Sequence, residues 1–259
     1  MEHTSLIPTV SGPAQSGLLY FCTTRSGGVS EGERASLNLG VNTGDDPQQV
    51  RANRQRLHSL LGAEPVWLQQ VHGTQVLDAD VDNLPDASSR QFDAAVTTRP
   101  DRVLAILTAD CLPVVIWDRQ SRVVGAAHAG WRGLQAGVLA RTLDLMRRRC
   151  PQADAWQAWI GPAISQPCFE VGQEVLDAFR QAGEGFKGVD EFFIPGRAPG
   201  KWQADLPGLA RRQLETLCQG DIQVHLSHLC TYQDQVRFYS YRRSAQTGRQ
   251  ATLARLTGA

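Results

Sequence analysis

The chain has 259 residues, of which 42% are hydrophobic and 20% are charged, and its 26 lysines and arginines balance its 26 aspartates and glutamates. This composition is typical of a globular protein with a sizeable core, and we expect one catalytic domain over residues 1–259. Because the net charge is zero, no long-range positive field favours nucleic acid or an anionic membrane as a partner.

The start of the chain and its cysteines predict a cytoplasmic protein. The first twenty residues contain Glu2, Pro8 and Pro13 and lack the basic start and apolar run of a secretory signal. The longest apolar region, around 103–117, is interrupted by Asp110 and is too short to span a bilayer. The six cysteines form no C-x-x-C pair, so a disulfide framework is not expected.

The first third of the chain predicts a strand and then a helix. Residues 18–24 read as a strand that runs into a Gly-Gly turn. Asp46 is a suitable N-cap, Pro47 suits the first helical position, and the helix is expected to end near residue 62. Its apolar face comprises Val50, Leu57 and Leu61. Arg54 falls on the same face, where it either extends its charge to solvent or points into a site and binds an anion.

Several apolar runs in the middle of the chain predict strands. Residues 66–77 alternate as one strand that contains His72, and further strand-like runs follow up to residue 130. Turn residues at 118–122 predict a hairpin centred between 119 and 120, which would place Cys111 opposite His128.

The second half alternates helices and strands less regularly. Helices are predicted at 133–150, 172–182 and 205–219, with short strands between them and two closing strands at 222–227 and 236–243. Because the alternation is not strict, we expect an α/β (mixed α+β) fold with a mixed sheet flanked by helices.

Three residues with metal-binding side chains stand at strand ends or breaks beside small residues: His72, Cys111 and His128. The segment GAAHAGWRG, residues 125–133, removes bulk from both sides of one imidazole, which leaves room either for close backbone packing or for a ligand. Two imidazoles and a thiolate suit zinc with a fourth position open to water or substrate. Asp110 is a candidate to orient the histidines by hydrogen bonding to ring nitrogens that do not bind the metal.

The same residues allow other interpretations. Each alone fits a structural histidine or a small core cysteine. Together they also resemble the core of a blue-copper site, although the few remaining histidines are too few for a multicopper oxidase. Without metal, Cys111 is a candidate nucleophile with either histidine as its base. A fourth protein ligand such as Cys230 or His228 would instead make a closed structural zinc site.

Ten short motifs extend the pattern from residue 23 to 249: TTRSGGVS, SLNLG, NR at Asn53 and Arg54, QVHG, TADCLPV, HAGWRG, WIGPAI, FEVG, FYSYRR and TGR. In this order they resemble the family once named after multicopper polyphenol oxidase (laccase), the YfiH type. The resemblance implies a fold similar to that of bacterial toxin deamidases with a cysteine-histidine site. It also implies a zinc-dependent purine nucleoside phosphorylase acting on adenosine, inosine, guanosine and methylthioadenosine, with adenosine deaminase activity. The same family also carries the label of a cysteine-type amidase that edits peptidoglycan precursors, and copper is the metal of the oxidase interpretation.

Carried onto this chain, the resemblance assigns the metal to His72, Cys111 and His128 and the functional arginine to Arg54. We expect these four residues to be catalytic. The partners expected are purine nucleosides and phosphate, and a homodimer is compatible with the sequence. The candidates to bind substrate or phosphate are Arg25, Asn53, Arg242 and Arg243.

Overall fold

The computed structural model describes residues 7–81, 84, 89 and 91–258. Its helices are α1 (Pro47–Leu61), α2 (Trp131–Gln135), α3 (Val138–Arg149), α4 (Gln173–Arg180) and α5 (Leu206–Leu217). The first strands are β1 (Thr9–Val10), β2 (Leu18–Thr23), β3 (Pro65–Val66), β4 (Val76–Asp78), β5 (Ala94–Thr97), β6 (Val103–Thr108) and β7 (Leu112–Asp118). The remaining strands are β8 (Val124–Ala129), β9 (Trp156–Ile160), β10 (Glu170–Gly172), β11 (Phe193–Pro195), β12 (Lys201–Ala204), β13 (Ile222–Leu226) and β14 (Gln250–Leu256).

Two mixed sheets form the centre of the protein. One has five strands in the order β1-β2-β14-β6-β3, and the other has six in the order β13-β9-β7-β8-β5-β4. Strand pairs β3 with β6, β4 with β5 and β13 with β9 are parallel, while the other pairs in these two sheets are antiparallel. A small antiparallel sheet, β10-β12-β11, lies beside them.

The protein is built of four layers, which are α1, the five-stranded sheet, the six-stranded sheet and the helices α3, α4 and α5. The layer between the two sheets contains Tyr20 and Ile106 from the five-stranded sheet and Trp117 and Trp159 from the six-stranded sheet. The outer face of the five-stranded sheet packs against α1, and the outer face of the six-stranded sheet packs against α3, α4 and α5. The expected mixed α+β fold with helices outside is confirmed. The helices flank two stacked sheets, where one mixed sheet was expected.

The helix predictions agree with the structure at most boundaries. Asp46 caps α1 by accepting a hydrogen bond from the backbone N–H of Gln48, and the left-handed Gly62 ends the helix. The helix predicted at 133–150 is divided into α2 and α3 at Gly137, whose φ of 93° interrupts the α-helical path. No helix in the described part of the chain is long and apolar enough to cross a membrane.

Two predicted strands are irregular segments. Residues 67–75 leave β3 in one sheet and enter β4 in the other, so only the two ends of the segment pair with neighbours. Residues 236–243 form no strand, and several of their backbone groups bond to side chains. Examples are Tyr239 N–H donating to Gln250 Oε1 at 2.9 Å and Arg242 N–H donating to Asp110 Oδ2 at 2.7 Å.

The hairpin formed by β7 and β8 is shifted by two residues from the predicted register. His128 faces Pro113, not Cys111. The shift arises at the turn, where the Asp118 carboxylate accepts hydrogen bonds from the backbone N–H groups of Arg122 and Val123 at 2.5 and 3.1 Å. Because the shift is an even number of residues, it does not exchange the two faces of the strand.

Gly125 in β8 sets how closely α3 packs on the six-stranded sheet. A Cβ atom there would lie 2.8 Å from Met146 Sδ and 2.9 Å from Thr142 Cγ2, both in α3. We expect Gly125→Ala to lower the free energy of unfolding by ~1–3 kcal/mol through overpacking, measured by urea denaturation. Gly185→Ala is the matched control, because its Cβ would meet its nearest neighbour, Gln213 Cγ, at 3.5 Å. Equal stability of the two variants would contradict this account.

Candidate metal centre

The three predicted ligands come together where the chain passes between the two central sheets. His72 lies in the segment from β3 to β4, Cys111 lies between β6 and β7, and His128 lies near the end of β8. Their ligand atoms all lie within 4.8 Å of one another, and Cys111 Sγ is 3.8 Å from His72 Nε2. His72 is exposed, Cys111 is half-buried and His128 is buried.

The buried carboxylate of Asp93 positions both histidines. Its Oδ1 accepts hydrogen bonds from His128 Nδ1 at 2.8 Å and from the backbone N–H of His72 at 2.9 Å. Its Oδ2 accepts from the backbone N–H groups of Val71 and Gly73 at 3.2 and 2.7 Å. These bonds hold His72 in the left-handed region, at φ 60°. With Nδ1 engaged, His128 has Nε2 free as a ligand atom.

Gly130 explains part of the small-residue pattern around His128. A Cβ atom there would lie 2.9 Å from His72 Cδ2 and 3.1 Å from Cys111 Sγ. Gly133 faces the backbone carbonyl of Gly73, which a Cβ would approach to 2.9 Å. The close-packing interpretation of the segment therefore holds, since Gly125 and Gly133 allow close packing and Gly130 leaves room for the side chains of His72 and Cys111.

The electrostatics of the group favour a thiolate beside an imidazolium when no metal is bound. Burial alone would raise the pKa of Cys111, but His128 and His72 outweigh it and lower that pKa to about 6. Burial alone would lower the pKa of His128, but Cys111 and Asp93 raise it to about 9. Asp93 is buried, yet its hydrogen bonds with His128 and the backbone hold its pKa below the usual value.

The donor set fits a single metal ion. A tetrahedral ion with bonds of ~2.0–2.3 Å separates its ligand atoms by roughly 3.3–3.8 Å. The 3.8 Å between Cys111 Sγ and His72 Nε2 lies at the upper end of this range, and the limit of 4.8 Å for the three atoms exceeds it, so binding an ion would draw the three side chains closer together. Neither Cys230 nor His228 belongs to the group found among the described residues. Cys230 Sγ instead accepts a hydrogen bond from Ser165 N–H at 3.4 Å.

A cavity of about 510 Å³ opens directly over this group. All three ligands line it, so the centre is accessible to a small molecule. The wall also carries Phe169 and Tyr241, whose rings are available to a planar ligand. Three arginines complete the wall: Arg54, Arg242 and Arg249.

The structure separates the predicted polar site residues into two groups. Arg54 and Arg242 line the cavity. Arg25 and Arg243 donate instead to backbone carbonyls that hold loops, for example those of Ala35 and Phe238 at 2.9 and 2.7 Å. Asn53 is fully buried.

Asn53 holds the loops around residues 29–38 together. Its Oδ1 accepts from the backbone N–H of Val29 at 2.8 Å, and its Nδ2 donates to Ser30 Oγ and to the carbonyl of Asn38 at 2.9 and 3.0 Å. This geometry differs from the substrate-binding role expected of Asn53, because no polar atom of the side chain faces the cavity.

The predicted role of Asp110 also needs correction. Its carboxylate accepts from Thr231 Oγ1 at 2.7 Å, Ser240 Oγ at 3.0 Å and the backbone N–H of Arg242 at 2.7 Å. Asp110 therefore holds the loop that carries Arg242, and Asp93 is the carboxylate that orients His128.

Sequence reasoning missed Asp93 and Arg249. Asp93 directly precedes β5 and Arg249 directly precedes β14, and Arg249 belongs to the motif TGR. No local pattern showed that these residues would face the ligands or the cavity, since both contacts join distant parts of the chain.

Fold and site define a protein with two stacked mixed sheets, outer helices and a solvent-accessible histidine-cysteine-histidine centre. The chain belongs to the family described as multi-copper polyphenol oxidoreductase laccase, whose model matches residues 19–257. The resemblance stated from the motifs is thereby confirmed.

Curated relatives and solved structures cover nearly the whole chain. A protein of Pseudomonas aeruginosa named purine nucleoside phosphorylase is 45% identical over 241 residues, which are 93% of this chain and 94% of that protein. Purine nucleoside phosphorylase YfiH of Escherichia coli is 42% identical over 243 residues, 93% of this chain and 95% of that protein. The crystal structure of Neisseria meningitidis protein NMB0706 has a TM-score of 0.84 and 40% identity, covering 97% of this chain and 99% of that chain.

Gly130→Ala tests whether the small residue is needed by the ligands. The backbone at φ −59° and ψ 156° accepts alanine, so the fold should persist while the new Cβ displaces His72 and Cys111. We expect zinc affinity, measured by competition with a chromophoric chelator, to fall about 10- to 100-fold. Gly185→Ala serves again as the control, and unchanged affinity in Gly130→Ala would refute the assignment.

Proposed function

We propose that this protein is a zinc-dependent purine nucleoside phosphorylase that also deaminates adenosine. The observation that carries the proposal is a single cavity in which the histidine-cysteine-histidine group, three arginines and two aromatic rings face the same space. The names of the relatives in Pseudomonas aeruginosa and Escherichia coli support the phosphorylase part. Phosphorolysis needs an anion docked beside a nucleoside, and the cavity offers the cations and the rings for both.

The metal is proposed to be zinc held by His72, Cys111 and His128. Two imidazoles and a thiolate are a common zinc donor set with one position left for a reactant. When bound, the ion supplies Lewis acidity and an activated water at neutral pH. Copper is the alternative raised by the family description. Metal analysis of protein prepared with equal zinc and copper supply distinguishes them.

The protein residues are proposed to orient the reactants. Asp93 keeps the His128 ring fixed through the 2.8 Å bond to Nδ1. Arg54, with its guanidinium 4.0 Å from the centre of the Trp67 ring, is held where it can stabilise developing negative charge. Arg242, whose guanidinium lies 5.2 Å from the centre of the Phe169 ring, borders the space proposed for the purine. The rings of Phe169 and Tyr241 would stack on the base.

Product analysis tests both reactions. Metal-replete protein should convert inosine and phosphate to hypoxanthine and ribose 1-phosphate, and adenosine to inosine and ammonia. Cys111→Ala and His128→Ala should lower kcat/KM at least about 100-fold, because each removes a proposed metal ligand. Cys218→Ala and His225→Ala, which lie outside the cavity lining, are the matched controls.

Failure of base release from every purine nucleoside in the presence of phosphate would refute the phosphorylase. Absence of inosine formation from adenosine would refute the deaminase part alone. Full activity of Cys111→Ala would refute the assigned centre.

A second candidate function is a metal-free cysteine amidase that edits peptidoglycan precursors. It is favoured by one observation. Asp93 bonds to His128, and His128 lies beside Cys111, which is the spatial arrangement of an orienting carboxylate, a base and a nucleophile.

The amidase and the phosphorylase respond oppositely to metal removal. If the amidase hypothesis holds, a chelator leaves amide hydrolysis intact, and alkylation of Cys111, located by peptide mass mapping, abolishes it. If the phosphorylase hypothesis holds, chelation abolishes nucleoside turnover, and zinc restores it and protects Cys111 from alkylation. Hydrolysis of a precursor amide by chelated protein would favour the amidase.

A further inference from the structure

Arg249 is a cavity residue without an ion pair to any described residue, although the charges of Cys111 and Asp110 act on it at longer range. Its Nη1 donates to the carbonyls of Thr247 and Gly248 at 3.1 and 2.9 Å. Its Nε and Nη2 donate to no described residue, and no described carboxylate lies within ion-pair distance of the guanidinium. The side-on edge formed by Nε and Nη2 is the edge that binds an oxyanion with two parallel hydrogen bonds. Arg249 is thus a partly buried cation with an open donor edge at the cavity.

The side chain of Arg249 is fixed against the loop that follows residue 38. Its backbone N–H donates to Asn38 Oδ1 at 2.9 Å. A Cβ atom on Gly40 would lie 2.8 Å from Arg249 Cγ and 3.1 Å from Arg249 Cβ, so glycine at this position lets the arginine stem lie on the loop. A guanidinium held in this way loses little further entropy when it binds a ligand.

Arg54 contacts the same loop. Its Nε donates to the carbonyl of Leu39 at 2.9 Å, whose own N–H donates to the carbonyl of Arg249 at 3.1 Å. No described carboxylate lies within ion-pair distance of Arg54 either, and Nη1 and Nη2 donate to no described residue. Two arginines that line one cavity are therefore held by one loop, and each keeps two donor atoms without a described partner, Nη1 and Nη2 on Arg54 and Nε and Nη2 on Arg249.

One further observation points to a ligand in this cavity. Thr108 lines it, is 1% exposed, and its Oγ1 has no hydrogen-bond partner among the described residues. The third arginine of the wall, Arg242, is exposed and donates Nη1 to the carbonyl of Glu170 at 2.8 Å. Exposure lets water screen the charge of Arg242 more than that of the other two.

We propose that Arg249, paired with Arg54 across the loop Leu39–Gly40, binds the inorganic phosphate that attacks the nucleoside. The inference rests on the proposed phosphorylase activity. Phosphate offers several oxygens to the two donor edges, and its charge neutralises the two unpaired cations.

Calorimetric titration of the zinc-loaded full-length protein with inorganic phosphate tests the assignment without turnover. Arg249→Gln should weaken the Kd for phosphate by about 10- to 100-fold, since it removes two charge-assisted hydrogen bonds. The KM for phosphate in inosine phosphorolysis should rise by a similar factor, with a smaller change in kcat. Arg51→Gln, which removes a positive charge from α1 outside this cavity, should leave the Kd unchanged.

Gly40→Ala provides a second variant that keeps every charge. The added Cβ displaces the Arg249 stem, so phosphate affinity should fall in this variant as well. Zinc content and thermal melting of each variant show whether the fold and the metal centre are intact. If Arg249→Gln is unfolded, the result for Gly40→Ala decides the question.

Equal phosphate affinity in wild type and both variants would overturn the proposal, as would a wild-type protein that does not bind phosphate. Binding of adenosine 5′-monophosphate through Arg249 without binding of inorganic phosphate would also overturn it, and would assign the arginines to a nucleotide. A protein that binds phosphate through Arg249 but leaves inosine intact would refute the phosphorylase and keep the anion site. If the Arg249→Gln variant cleaves inosine with an unchanged KM for phosphate, the phosphorylase is supported and the assignment of Arg249 to phosphate is refuted.

Discussion

The hydrogen bonds of the Asp93 carboxylate are the constraint on which the histidine-cysteine-histidine group depends. One buried carboxylate accepts four bonds, three from consecutive backbone N–H groups at 71–73 and one from His128 Nδ1. The backbone bonds shape the turn that carries His72, and the side-chain bond fixes the second imidazole. Because both histidines depend on the same anion, neither can be moved without disturbing the position of the other. A carboxylate without these donors would be costly to bury.

The location of Asp93 explains why the centre lies at the border between the two sheets. The chain passes from the five-stranded to the six-stranded sheet twice near this point, once through residues 67–75 and once through Ala109–Cys111. Each passage interrupts strand pairing and exposes polar backbone, which then needs a partner. Asp93 accepts the hydrogen bonds of backbone N–H groups in the first passage. Asp110, itself at φ 94°, joins the second passage to the loop carrying Arg242. The interruptions that weaken the sheets also bring the ligands into one place.

The sequence predicted the local elements better than the contacts between them. Helices α1 and α5 follow from caps and apolar spacing, because those signals act within one turn. The residues His72, Cys111 and His128 were recognisable from their chemistry and small neighbours.

The strand predicted at 66–77 was wrong because apolar alternation does not show that a chain is changing sheets. Asp93 and Arg249 were missed for a related reason, since their roles arise from partners far away in sequence. Asn53 shows the reverse error, in which an amide beside a site residue holds backbone loops instead.

Charge distribution connects the fold to the chemistry expected of the cavity. The chain is neutral as a whole, and many of its exposed arginines pair with nearby carboxylates, as Arg180 does with Asp190 and Arg212 with Glu191. At the cavity the arginines are not paired with carboxylates in this way. The acidic groups close to the centre, Asp93 and Asp110, are directed to histidine, hydroxyl and backbone donors. Neither forms an ion pair with an arginine of the wall, although the charge of Asp110 acts on Arg249 at longer range. A positive potential therefore remains where a reactant enters. Positive charge in a partly enclosed space stabilises an incoming anion more than the same charge at an open surface. The internal use of the two carboxylates is thus what leaves the arginines of the cavity wall without ion-pair partners among the described residues.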